Sequence, residues 1–205
     1  MEIFETIIAQ WQQQNLLEII AVTLSVAYVW LAAEESVWCW PAALLSTTLY
    51  TYIFWDVSYL FQMLLNAYYM VMAVVGWSMW YKGKQNQQLE VKFMSLKQHL
   101  IIISIGVIIT SILVIFAASW LSYDQLILDA SITVFSLLAT VLTVKKYLQT
   151  WIYWTIINAA SIYLFAQAQL YFTCFLMVIY IMIAVKGYLQ WRNSAILSLE
   201  QAQHV

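Results

Sequence analysis

The chain has 205 residues, of which 64% are hydrophobic and only 9% are charged, and its mean hydropathy is +0.80. Water-soluble domains carry about 25% charged residues, and a fold of this size in water cannot bury so much apolar surface. The net charge of -2, without any basic stripe, gives no indication of a nucleic-acid-binding function. The composition therefore predicts an integral membrane protein with the lipid bilayer as its solvent.

Read in chain order, the apolar stretches predict an all-α membrane protein with seven transmembrane helices. Residues 1–15 have apolar side chains at helical spacing, which predicts an extracellular or periplasmic interfacial segment rather than a span. Apolar runs of about 17–25 residues can cross a bilayer. Such runs lie at residues 16–33, 37–55, 57–80, 99–120, 125–144, 149–168 and 170–189.

These spans group into a three-helix bundle over 16–80, a cytoplasmic loop over 81–98, a linker helix over 99–120, a second bundle over 125–191 and a cytoplasmic tail over 192–205. With seven spans, all 8 lysines and arginines fall on one side of the membrane. Positive charge marks the cytoplasmic side. The N-terminus is therefore predicted outside and the C-terminus inside the bacterial cytoplasmic (inner) membrane.

The two bundles are related by an internal repeat. A shift of 111 positions aligns residues 40–80 with 151–191 without a gap, and 10 of those 41 pairs are identical, including Trp40/Trp151, Gly76/Gly187 and Trp80/Trp191. Four helices separate equivalent elements, so the two triplets point the same way. The pattern predicts a parallel 3+1+3 repeat with a substrate site between the halves near the membrane midplane.

Polar side chains within spans are functional candidates because lipid makes them costly. Trp151, Trp154 and Asn158 share one helical face and could stack a flat ring and hydrogen-bond its substituents. The alternative is that the tryptophans anchor the helix at the interface and Asn158 joins two helices. In the third span, Gln62, Asn66 and Tyr69 lie one turn apart, and substrate contact or helix–helix hydrogen bonding explains them equally well.

The absence of several sequence motifs reduces the range of possible functions. The sequence contains no phosphate-binding loop, no HExxH, no GxSxG and no set of side chains for nucleophilic catalysis, so we expect neither an enzyme nor a cofactor or metal site. Apart from Lys186, near the cytoplasmic end of the span over 170–189, the predicted spans contain no Lys or Arg to pair with a phosphate. The cargo should therefore be neutral, cationic or zwitterionic.

These residues resemble the PnuC-type vitamin transporters, whose members carry nicotinamide riboside. The similarity runs from Trp38-x-Trp40-Pro41 to Trp191 and includes Asn66-x-x-Tyr69, Gly76-Trp77-x-x-Trp80, Asp129-Ala130 and Trp151-x-x-Trp154-x-x-x-Asn158. The resemblance implies that Trp151, Trp154 and Asn158 contact the substrate. It also implies a SWEET-like architecture, a homotrimer, and facilitated diffusion followed by trapping through a cytoplasmic vitamin kinase.

Several alternatives stay open. Many relatives carry glutamine where this chain has Asn66, and similar family members carry thiamine or riboflavin, so the resemblance leaves the choice of vitamin undecided. A sugar carrier shares the predicted architecture. A seven-helix receptor or photosensor fits the paired triplets poorly, and no lysine lies mid-span for a retinal Schiff base.

Overall fold

The computed structural model describes residues 2–12, 16–56, 60–85, 90–119 and 125–203. The described chain is all-helical apart from one isolated bridge between Lys92 and Tyr147, which confirms the predicted fold class at that level. Its helices are α1 (Glu2–Gln12), α2 (Leu16–Ala33), α3 (Cys39–Asp56), α4 (Leu60–Gln85), α5 (Leu96–Ala117), α6 (Leu126–Val144), α7 (Thr150–Gln167) and α8 (Tyr171–Gln203).

Five of these helices are long and apolar enough to cross a membrane, namely α2, α4, α5, α6 and α8. Helices α3 and α7 have the same length as α2, 18 residues each. They fall outside the group of five because tryptophan, tyrosine, threonine and asparagine lower their hydropathy. Such side chains are tolerated at membrane depth when they face protein or a cavity instead of lipid.

Six helices form a closed ring. Helix α2 packs on α3, α3 on α4, α4 on α6, α6 on α7, α7 on α8, and α8 returns to α2. Helix α5 lies outside the ring against α6, and α1 packs against α8. We call α2–α4 the first triplet and α6–α8 the second. The two triplets meet twice, at the α4–α6 seam and at the α2–α8 seam.

Three boundaries differ from the sequence prediction. Helix α4 continues to Gln85 and α8 to Gln203, so the predicted loop over 81–98 is shorter and most of the predicted tail over 192–205 is helical. Helix α5 begins at Leu96 because Ser95 caps it. The Ser95 hydroxyl accepts from the Gln98 amide, and the Gln98 side chain accepts from the Ser95 amide. Helix ends lie in polar sequence, where the apolar run gives no boundary signal.

Two glycines determine how closely the last helix of each triplet approaches the middle one. A Cβ atom at Gly76 would lie 2.5 Å from the Trp40 ring, and a Cβ atom at Gly187 would lie 2.6 Å from the Trp151 ring. Both distances are far below van der Waals contact. The two pairs are equivalent under the repeat. The structure therefore supports close packing as the role of both glycines.

We expect Gly76→Ala and Gly187→Ala each to destabilise the protein, because the new methyl group overlaps a buried indole. Overpacking of this kind costs about 1–3 kcal/mol, which corresponds to a fall in Tm of about 2–12 °C for a chain of this size. Thermal unfolding in detergent, followed by tryptophan fluorescence, measures the change. Val75→Leu is the matched control because it adds volume at an exposed position on the same turn. Variants with the wild-type Tm would contradict the packing role.

Candidate functional site

A chamber lies inside the ring. Its volume is about 390 Å³, within the range of small-molecule sites, and all six ring helices contribute to its wall. The lining residues are Ser25, Tyr28, Val29, Ala32, Trp40, Ala43, Ser46, Thr47, Tyr50, Phe54, Leu65, Asn66, Tyr69, Ala73, Ser136, Thr140, Thr143, Trp151, Trp154, Ile157, Asn158, Ser161, Phe165, Met177, Tyr180 and Ala184.

The lining follows the repeat. The second triplet supplies 12 of these residues, and each lies 111 positions after a lining residue of the first triplet. The remaining 2 of the 26, Tyr28 and Leu65, have partners outside the lining. Apolar composition alone does not produce such a correspondence in space. Equivalent positions of the two triplets therefore face the same chamber.

The structure brings five of the six predicted site residues to this chamber: Trp151, Trp154, Asn158, Asn66 and Tyr69. Trp151, Asn158 and Asn66 are buried. The sixth residue, Gln62, belongs to α4, but its side chain lies outside the described residues. The alternative interpretation of Trp154 as a membrane-interface anchor does not fit its position at the chamber wall. Direct contact of these residues with a substrate stays a prediction.

Hydrogen bonds hold Trp154 in place. Its indole Nε1 donates to the Thr143 hydroxyl at 3.1 Å. Thr143 Oγ1 lies 2.8 Å from Thr150 Oγ1, and both oxygens lie 3.0 Å from the carbonyl oxygen of Ala139. The only polar atom of this indole is therefore engaged with α6, so the contact left for a ligand is through the ring itself.

Hydroxyl groups of the first triplet lie on the α2–α3 side of the chamber. The Ser25 and Ser46 hydroxyls are 2.6 Å apart, and each lies 3.0 Å from the carbonyl oxygen of Ala21. Tyr28, Tyr50 and Tyr180 also line the chamber, although none of them was predicted as a site residue. The register of Tyr69 with Tyr180 in the repeat was the available signal for one of them. The other two tyrosines have no such partner in the sequence.

The chamber lining described here contains no Asp, Glu, Lys, Arg or His. Its recognition groups are indole and phenol rings, two amides, and hydroxyls. Aromatic faces attract flat rings by stacking and attract cations through the ring quadrupole. A wall of this kind therefore favours a flat, neutral or cationic heterocycle over an anion.

An uncharged aromatic chamber inside a ring of largely apolar helices is the arrangement of a membrane transport protein. The family model described as nicotinamide mononucleotide transporter matches residues 15–193, and the chain belongs to this transporter family. Family membership also makes the protein a transporter rather than an enzyme.

Individual relatives agree with the family assignment. The chain is 22% identical over 205 residues to the nicotinamide riboside transporter PnuC of Escherichia coli K12, covering 87% of this chain and 86% of that protein. It is 27% identical over 164 residues to the protein of the same name from Neisseria mucosa, covering 72% of this chain and 61% of the relative. A crystal structure of the vitamin B3 transporter PnuC has the same fold, with a TM-score of 0.74 and 22% identity over 94% of this chain and 89% of that one.

We expect Thr143→Val to weaken ligand binding about three- to tenfold, because the Trp154 indole loses its acceptor and its fixed orientation. Thr143→Ser keeps the hydroxyl and should bind like the wild type. Thr155→Val is the matched control, since Thr155 lies outside the chamber lining and its hydroxyl donates to the Trp151 carbonyl on its own helix at 2.8 Å. Isothermal titration measures the affinities. Equal affinity of Thr143→Val and wild type would show that the Thr143 bond does not position the ring.

Proposed function

We propose that this protein carries nicotinamide riboside across the bacterial inner membrane by facilitated diffusion. The observation that carries the proposal is the uncharged aromatic chamber of about 390 Å³ at the centre of the ring. The names of the relatives support the choice of cargo. Nicotinamide riboside has a flat cationic pyridinium ring, a carboxamide and a neutral ribose, which match the ring faces, amides and hydroxyls of the wall.

The same wall favours nicotinamide riboside over nicotinamide mononucleotide, the compound named in the description of the family. A phosphate group carries nearly two negative charges and requires paired donors, usually Arg or Lys, when it leaves water. The described lining offers neither. Lys146, which lies near the chamber, is paired with Glu35. The proposed cargo is thus the dephosphorylated form, and phosphorylation by a cytoplasmic vitamin kinase would then trap it inside.

Thiamine is the second candidate, with riboflavin behind it. Thiamine is also a flat, singly cationic heteroaromatic molecule, and the aromatic faces of the chamber do not distinguish it from nicotinamide riboside. Asn66 lines the chamber, so the length of its amide side chain bears directly on this choice. A sugar would use the hydroxyl groups but would leave the Trp154 face without a planar partner.

We further propose that α2 to α8 all cross the membrane in the 3+1+3 arrangement, with α1 at the outer interface. Contacts at one end of the ring support this topology. Lys146 meets Glu35 and Lys186 meets Glu34, and Lys92 pairs with Tyr147, which brings together the turns after α2, α4 and α6. Lys92, Lys146 and Lys186 therefore share one end of the ring, and positive charge predicts that this end is cytoplasmic.

A homotrimer is proposed on the family resemblance. Outside the ring, α5 exposes many apolar side chains, among them Leu100, Ile108 and Ile115, which suit lipid or a neighbouring subunit. Native mass spectrometry of the detergent-solubilised protein measures the number of subunits.

The test of the proposed function combines binding with transport. Isothermal titration against nicotinamide riboside, thiamine, riboflavin, nicotinamide mononucleotide and glucose ranks the ligands. Proteoliposomes should then take up labelled nicotinamide riboside saturably, down its gradient, without ATP or an ion gradient. Uptake that requires a proton or sodium gradient would contradict facilitated diffusion. Preferential binding of thiamine would replace the cargo but keep the mechanism.

We expect Trp154→Ala and Asn158→Ala each to weaken binding about tenfold without unfolding the protein. The lost stacking or cation–π contact is worth about 0.5–2 kcal/mol, and a lost hydrogen bond has a similar value. Trp77→Ala is the control, because Trp77 is exposed on the outside of α4. Thermal unfolding of each variant separates loss of binding from loss of structure. Wild-type affinity in both variants would remove these residues from the site.

A further inference from the structure

Two equivalent turns lie at the end of the ring that carries Lys92, Lys146 and Lys186, which we call the lysine-bearing end. Glu35 follows α2 and Lys146 follows α6, 111 positions later. Both have left-handed backbone conformations, with φ values of 55° and 61°, which are uncommon for residues other than glycine. The same hydrogen bond closes each turn, from Ser36 to the Leu31 carbonyl at 2.9 Å and from Tyr147 to the Leu142 carbonyl at 3.0 Å.

The two turns meet through an ion pair between the triplets. Lys146 Nζ lies 2.5 Å from Glu35 Oε2, with side-chain exposures of 5% and 19%. The backbone of Lys146 is anchored as well, because its carbonyl accepts from Lys92 at 2.9 Å and Leu148 donates to the Lys92 carbonyl at 2.9 Å. Desolvation of two buried charges offsets much of their attraction, so such a pair contributes little to net stability and is better suited to a switch.

A layer of four tryptophans separates this ion pair from the chamber. Lys146 Nζ lies 5.3 Å from the Trp80 ring and 5.9 Å from the Trp191 ring. Trp80 packs edge-on against Trp40 at 5.3 Å, and Trp191 packs edge-on against Trp151 at 5.3 Å. Trp40 and Trp151 line the chamber, so the layer forms its floor.

Each outer tryptophan also bonds across a seam. Trp80 Nε1 donates to the Val144 carbonyl on the α4–α6 seam, and Trp191 Nε1 donates to the Ala32 carbonyl on the α2–α8 seam, both at 3.0 Å. In contrast, the inner pair, Trp40 and Trp151, has buried indole N–H groups without a hydrogen-bond partner. Buried unsatisfied donors raise the free energy of this closed arrangement. An arrangement that admits water to the floor would satisfy them.

We propose that Glu35, Lys146 and this tryptophan layer form the gate at the lysine-bearing end, and that the ion pair is its latch. The inference rests on the proposed transport function, which requires the chamber to open alternately to each side. Opening separates the Glu35 turn from the anchored Lys146 turn and parts the tryptophan layer. The pair joins the two triplets, so breaking it removes one of the contacts that hold them together at this end, beside the two tryptophan N–H bonds and the Glu34–Lys186 pair.

Accessibility of the chamber tests the gate without using any substrate. A single cysteine at Thr47, which lines the chamber, is introduced in a C39A/C174A background. Its modification by a membrane-impermeant maleimide is timed in right-side-out and inside-out vesicles. We expect Glu35→Gln and Lys146→Met to increase the labelling rate roughly tenfold or more from the lysine-bearing side and not from the other. The charge swap E35K/K146E should bring the rate back towards the wild-type value.

The matched control is Glu34→Gln. Glu34 is next to Glu35 in the chain and bonds to Lys186 and Gln190 on the α2–α8 seam, and these contacts lower the pKa of its carboxyl group. The Glu34–Lys186 pair is exposed and lies outside the tryptophan layer. We expect its labelling rate to match the wild type. Wild-type rates in both Glu35→Gln and Lys146→Met, or a charge swap as fast as the single variants, would overturn the gate. Failure of wild-type uptake would instead count against the proposed function, because labelling does not depend on the vitamin.

Discussion

The contact between an indole and a glycine, made once in each triplet, controls the geometry of the rest of the ring. Trp40 lies on Gly76 and Trp151 on Gly187, at distances that leave no room for a side chain. Because both tryptophans are held by their own triplet, each can also form part of the chamber wall and support an outer tryptophan. These two contacts set how closely α4 and α8 approach the middle helices. They also set the position of the chamber floor and its distance from the ion pair beneath it.

The two triplets have equivalent helices, but some of their lining side chains differ. At equivalent lining positions the first triplet has Ala43 and Ala32 where the second has Trp154 and Thr143. Thr143 supplies the acceptor that orients the Trp154 indole, and alanines at the equivalent positions of the first triplet supply neither an indole nor a hydroxyl. The repeated framework thus carries the Trp154 indole on one side of the chamber only. Such a site suits an asymmetric ligand with a flat ring at one end and hydroxyls at the other.

In a helical membrane protein, polar side chains form hydrogen bonds within the protein because lipid offers no partners. Threonine and serine hydroxyls along the ring helices mostly bond to carbonyls one turn earlier, as Thr47 does to Ala43 and Ser161 to Ile157. Of the two ion pairs in the described residues, Lys186–Glu34 is exposed and Lys146–Glu35 is largely buried; both join the first triplet to the second, and both lie outside the chamber lining. The chamber itself therefore stays neutral, and the charge that matters for the proposed gate lies just beyond its floor.

The sequence by itself determined the helical class, the membrane environment, the repeat and five chamber residues, because each of these leaves a local or periodic trace. Apolar runs mark helices, and the register of Trp40 with Trp151 and of Gly76 with Gly187 marks equivalent surfaces. Tertiary structure alone decided the continuation of α8, the Thr143 bond to Trp154, and the meeting of Glu35 with Lys146. These features join residues 11 to 111 positions apart or lie where the hydropathy signal ends. No pattern along the chain specifies which side chains meet once six helices close into a ring.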